Sequence, residues 1–164
     1  MARRDSTSYR QTKQQVTSLA RRHFAVLEKY LDNFTTGPTW LAEPRVADLV
    51  TEALHHRDGR VYRLDAFSIM PNHVHSVFMP LMRDENPYSL SSMMHSLKRH
   101  TAQQANQVLG RSGILWAHES FDHYIRDGAE RRRIIEYVLQ NPVKAGLVER
   151  WEDWRWNYMS DSLV

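Results

Sequence analysis

Residues 60–80, RVYRLDAFSIMPNHVHSVFMP, constrain the fold more than any other stretch of the chain. In RVYRLDAFSI apolar and polar side chains alternate, which is the period of a strand with one buried face. Met70-Pro71-Asn72 interrupts the alternation and HVHSVFMP (73–80) resumes it, so the two runs read as a hairpin. Helical patterns flank the pair, and the expected architecture is an antiparallel sheet covered by helices, an α+β fold.

The flanking patterns are specific. In residues 10–33, Val16, Leu19, Ala20, Phe24, Leu27 and Leu31 recur at helical spacing with Lys and Arg between them. Pro44 suits the first turn of a second helix, whose stripe is Val46, Leu49, Val50 and Leu54 and which ends before the Asp58-Gly59 turn signal. A third runs from about Tyr88 to Leu109, carries Leu90, Met93, Met94, Leu97 and Ala102 on one side, and is closed by Gly110. SFDHYIR (120–126) reads as a third strand. Asp127 and Glu130 form a capping box for a last helix, which Pro142 is expected to stop after Gln140 or Asn141. The Trp-rich WEDWRW is expected to pack back onto the domain. The order is ααββαβα with a short tail. At 164 residues, without repeats or a dividing linker, the chain is expected to be one domain.

No apolar run approaches the ~20 residues that span a bilayer, and MARRDSTSYR lacks the apolar stretch of a signal peptide. The absence of cysteine removes disulfides and thiolate metal sites and is compatible with the cytoplasm. A net charge of +3 and a pI near 9.3 lean modestly towards an anionic partner.

Two groups of residues have chemical potential. In His73-Val74-His75 a strand would point both imidazoles to one side and Val74 into the core, giving two-thirds of a divalent metal site. An isolated H-x-H is more often a pair of solvent-facing histidines. Tyr137, Gln140 and Asn141 lie at i, i+3 and i+4 of a helix and share a face. The phenol can be a nucleophile and the amide one turn later a ligand, although a packed Tyr and a capping Asn before proline are the commoner meaning. Taken together they offer more: two histidines and an amide oxygen around a metal that polarises a phosphate, and a Tyr beside it to attack. Among the usual motifs no competing site is present, neither a Gly-rich phosphate loop nor G-x-S-x-G nor C-x-x-C.

Five segments in order, GPTWLAEPRVADLV, YRLDAFSIMPNHVH, SLKRHTAQQAN, ILWAHESFDHYIRD and EYVLQNPVKAGLV, with WRW beyond them, resemble the REP-associated tyrosine transposases. These are relatives of the single-tyrosine transposases in the HUH endonuclease superfamily. The resemblance covers residues 20–158. It implies an HUH, ferredoxin-like domain in which His73 and His75 bind Mg²⁺ or Mn²⁺, Asn141 rather than Gln140 is the third ligand, and Tyr137 is the nucleophile. The implied reaction leaves a 5′-phosphotyrosine and a free 3′-OH in single-stranded DNA, at hairpin-forming repeats of a bacterial nucleoid. Histidine-rich sites prefer Zn²⁺, Ni²⁺ or Cu²⁺, so availability would set the working ion. Such proteins usually open with a strand placed beside the histidine-bearing one; MARRDSTSYRQTKQQ shows no such pattern, and the expected sheet lacks that strand.

Lys98, Arg99 and Arg111, with His100, are candidates for a path along the DNA backbone, as is Arg132 with its neighbours Arg131 and Arg133, although charge runs are more often solvated faces. Tyr88, Trp116 and Tyr124 are candidates for base stacking, and His123 for a place near the metal site. Three functions compete: a nicking and strand-transfer enzyme acting alone or as a homodimer, a catalytically inactive or domesticated hairpin-DNA binder, and a phosphoesterase that uses water in place of Tyr137.

Overall fold

The computed structural model describes residues 37–118 and 120–161. The helix expected over 10–33 and the missing opening strand lie outside the described residues. Three strands form an antiparallel sheet in the order β2 (Val74–Pro80), β1 (Tyr62–Ile69) and β5 (Asn157–Met159). Two-residue strands β3 (Met82–Arg83) and β4 (Asn86–Pro87) form a separate small hairpin. Helices α1 (Pro44–Arg57) and α2 (Leu90–Val108) pack on one face of the sheet, and α3 (Gly128–Lys144) packs on the other.

Strand β1 departs from the expected half-buried alternation: every position but Arg63 is buried. The reason is the central place of the strand, with a helical layer on each face and a partner on each edge. A bulge reconciles this with the two-residue period. Leu64 pairs with Phe78 and Ala66 with Val77, so Asp65 is the extra residue. Before the bulge Tyr62 and Leu64 face α1 and α2; after it Phe67 and Ile69 do, and Ala66 and Ser68 turn to α3.

The two runs do form a hairpin, closed by a bond from the Met70 N–H to the His73 carbonyl. Segment 120–126 forms no strand. Both edges of β1 are taken by β2 and β5, and the exposed 120–126 run pairs with neither. The third strand comes from the tail instead. Trp154 donates Nε1–H to the Ile69 carbonyl and Trp156 donates to Asp48 of α1, which lays Asn157–Met159 along β1.

Helix α2 buries Met93, Leu97, Thr101 and Ala105, a line one step from the expected Ala102, and Gly110 closes it at φ 60. Helix α3 starts as expected: the Asp127 carboxylate accepts the Glu130 N–H at 2.8 Å. It does not stop at Pro142 but runs on to Lys144. Proline removes the N–H that the Val138 carbonyl would accept. The Asn141 side-chain Nδ2 donates to that carbonyl instead, at 3.3 Å, so the helix continues without an orphaned acceptor. Among the described residues no helix is long and apolar enough to cross a membrane.

Candidate active site

The site grows from the register of the hairpin. Ser68 of β1 stands opposite His75, and on its other side opposite Asn157 of β5. These three side chains form a row across the sheet on the face that α3 covers. His73, two residues before His75, shares that face, while Val74 packs into the core on the opposite one, as the strand period requires.

His73 is buried and His75 half-buried. Their Nε2 atoms are 2.9 Å apart with the rings nearly perpendicular. The Asn72 Oδ1, 2.7 Å from His73 Nδ1, can only accept, so Nδ1 carries the proton and the Nε2 lone pair of His73 faces His75. Burial pushes the His73 imidazole down to about 4. Burial first, then the charges of His73 and Lys144, push His75 down to about 3. Both rings are therefore neutral at physiological pH, the state in which imidazole binds metal.

Tyr137 of α3 meets His75 edge-on, with ring centroids 6.1 Å apart. One turn on, Asn141 is 1% exposed, and its Oδ1 has no hydrogen-bond partner. An orphaned buried carbonyl oxygen costs about 1–3 kcal/mol and calls for an explanation. Because Nδ2 is committed to the carbonyl that Pro142 frees, Oδ1 is the atom left for a ligand. The two imidazole nitrogens are spaced to share one divalent cation. Ligands at ~2.1 Å on neighbouring corners of an octahedron stand about 3.0 Å apart, close to the separation of the two Nε2 atoms. Gln140, the alternative amide, is half-buried and lines a groove with Arg132, Glu136 and Trp151.

The basic residues are placed less uniformly. Lys98 donates to the Ala117 carbonyl at 3.0 Å, and burial lowers its ammonium below the usual lysine range. Arg99 is exposed on α2. Arg111 lies 3.8 Å over the Trp40 ring and donates to Asn106 Oδ1 and the Ile114 carbonyl. All three belong to the α2 layer, across the sheet from the histidines. Arg132 is exposed on α3, on the histidine side. Arg131 grips the Asp65 carboxylate, Nε to Oδ2 at 2.7 Å, with a second bond to Oδ1. Trp116 is structural, donating Nε1–H to the buried Thr101 hydroxyl, whereas Tyr124 is 86% exposed. His123 is bound to Glu130 at 3.1 Å.

Sequence reasoning missed two residues. Asn72, inside MPNHVH, holds the His73 tautomer. Lys144, seven residues after Tyr137 and so on its helix face, places Nζ 3.7 Å from the Tyr137 ring centroid. The i+7 spacing was the signal for it.

No model of a known protein family matches the chain. An Escherichia coli REP-associated tyrosine transposase is 25% identical over 140 residues, 78% of this chain and 80% of that protein. A Haemophilus influenzae protein of the same description is 28% identical over 95 residues, and the match spans about half of each chain, 54%. A solved structure of a REP-associated tyrosine transposase bound to a REP hairpin superposes with a TM-score of 0.57 at 22% identity, covering 73% of this chain and 67% of that one. This likeness establishes a shared fold.

Proposed function

With the REP-associated tyrosine transposases as its relatives, we propose that this chain nicks and rejoins single-stranded DNA at hairpin-forming repeats through a covalent bond to Tyr137. The observation that carries this reading is the convergence of the His73 and His75 Nε2 atoms, 2.9 Å apart, beside the Tyr137 ring.

The phenolic oxygen attacks phosphorus, the bond from phosphorus to the 3′ oxygen breaks, and the products are a 5′-phosphotyrosine and a free 3′-OH. The phenol gives up its proton and the departing 3′ oxygen gains one. Splitting the transfer in two keeps the bond energy in the protein–DNA ester, so the 3′-OH can reverse the step. His73, His75 and Asn141 would hold a divalent cation, which when bound supplies a Lewis acid for the phosphate oxygens. Asn72 fixes the tautomer of His73, and Pro142 fixes the orientation of the Asn141 amide. The rigid sheet and a helix anchored to it then present the nucleophile in one place.

The test is incubation of the protein with Mn²⁺ and a 3′-labelled single-stranded hairpin oligonucleotide with a randomised flank, read on a denaturing gel. The expected result is a labelled protein band that disappears with EDTA and in Tyr137→Phe. A band that survives in Tyr137→Phe assigns another nucleophile. Cleavage without a band in either protein points to water, and hairpin binding without cleavage points to a silent binder.

A further inference from the structure

We propose that Lys144 is a further catalytic residue, its ammonium meeting the scissile phosphate as Tyr137 attacks it. This rests on the nicking reading. Tyr137, Asn141 and Lys144 lie at i, i+4 and i+7 of α3 and occupy one stripe of the helix. The Lys144 Nζ is 3.7 Å from the Tyr137 ring centroid, and that ring meets His75 edge-on at 6.1 Å. The ammonium therefore stands over the ring of the nucleophile, on the side open to solvent, since Lys144 is exposed while Tyr137 is half-buried.

A lysine resting on an exposed aromatic face gains only about 0.5–1 kcal/mol, which is small enough to be exchanged for a phosphate. Its compact charge on a flexible stem suits a non-bridging phosphate oxygen, and it needs no particular approach angle. In the step above, one negative charge passes from the phenol oxygen through the phosphoryl group to the 3′ oxygen. A cation beside this path favours the transition state more than the bound DNA, the condition for raising a rate rather than an affinity. Arg111 and Lys98 lie in the layer across the sheet, and Arg131 is engaged by Asp65, so none of them takes this place.

The experiment compares wild type, Lys144→Gln and Lys144→Arg in full-length protein with Mn²⁺ and the 3′-labelled hairpin pool. Rate of covalent capture, hairpin affinity and melting temperature are measured for each. Lys144→Gln is expected to slow capture about 10²-fold, the scale of losing one charge-stabilising donor, with affinity changed less than threefold and melting temperature unmoved. Lys144→Arg is expected to recover most of the rate. On an oligonucleotide with uncharged methylphosphonate linkages through the cleaved flank, the difference between wild type and Lys144→Gln is expected to disappear, which a purely structural lysine would not produce. Capture by wild type with Lys144→Gln equally fast overturns the role of Lys144 alone. No capture by wild type, with hairpin binding intact, overturns the nicking reading and this role together.

Discussion

Arg131→Met is expected to destabilise the protein and slow its chemistry through one contact. Asp65 is 2% exposed and sits at the bulge of the central strand, where its carboxylate takes two bonds from Arg131 of α3. Removing one partner of a buried pair typically costs about 3–5 kcal/mol, because a buried charge is left uncompensated. Two features reduce that figure. The Arg131 side chain is 28% exposed, so part of its solvation survives folding, and Arg63 lies 3.6 Å from the same carboxylate. A loss of about 2–3 kcal/mol remains, or roughly 6–9 °C in melting temperature at about 3 °C per kcal/mol for a domain of this size. Asp65→Asn keeps an acceptor for the guanidinium and is expected to cost less, about 1–2 kcal/mol. Replacing both, as Asp65→Asn with Arg131→Met, removes the stranded charge and is expected to recover part of the loss. Urea unfolding of the four proteins at pH 7 measures the cycle. Arg131→Met within 0.5 kcal/mol of wild type, or a double variant less stable than the sum of its singles, would refute the argument. Because α3 also carries Tyr137 six residues on, capture by Arg131→Met at a temperature where it is folded is expected to fall by ~10- to 10²-fold.

The histidine pair makes stability depend on pH in a defined direction. The unfolded chain protonates both rings near 6.5, whereas the fold holds them neutral down to about 4 and about 3, so the unfolded state binds more protons between these limits. In EDTA, stability is expected to be complete above pH 6.5 and to decline as the pH falls towards 3; the urea midpoint of His73→Gln/His75→Gln should be flatter over that range. An acid limb identical in the two proteins would remove the histidines as its cause. Pro142→Ala returns an N–H to the Val138 carbonyl and frees the Asn141 amide to rotate, and it is expected to weaken Mn²⁺ binding about tenfold by calorimetry, as loss of an outer partner does. Unchanged affinity would mean that the Asn141 oxygen is held by something else.

Much of the site was legible because it obeys short-range rules. The strand period put His73 and His75 on one face, helical spacing put Tyr137 and Asn141 on another, and the Asp127 cap fixed where that helix starts. What failed was set by long-range pairing. Nothing local in NYM distinguishes a strand; Trp154 and Trp156, anchored at Ile69 and Asp48, place it. The run SFDHYIR has better strand residues yet stays unpaired, since β1 has no edge left for it.

The two rules that misled are those whose exceptions build the site. Proline should end a helix, and reading Pro142 that way stops α3 before Lys144. The structure shows that Asn141 replaces the missing bond, so a single residue keeps the helix whole and leaves its own oxygen buried and unpaired. Alternation along β1 should leave one face wet, but helices cover both faces, and the bulge at Asp65 shifts the alternation by one residue partway along the strand. Without that shift Phe67 and Ile69 would face α3, and Ala66 and Ser68 the larger core of α1 and α2. The small pair is what leaves room beneath α3 for two imidazoles, and the bulge residue itself ties α3 down through Arg131. Bulges and helix-internal prolines cost stability where they do nothing else. Here each one aims a side chain, which is the physical reason to look for the chemistry between them.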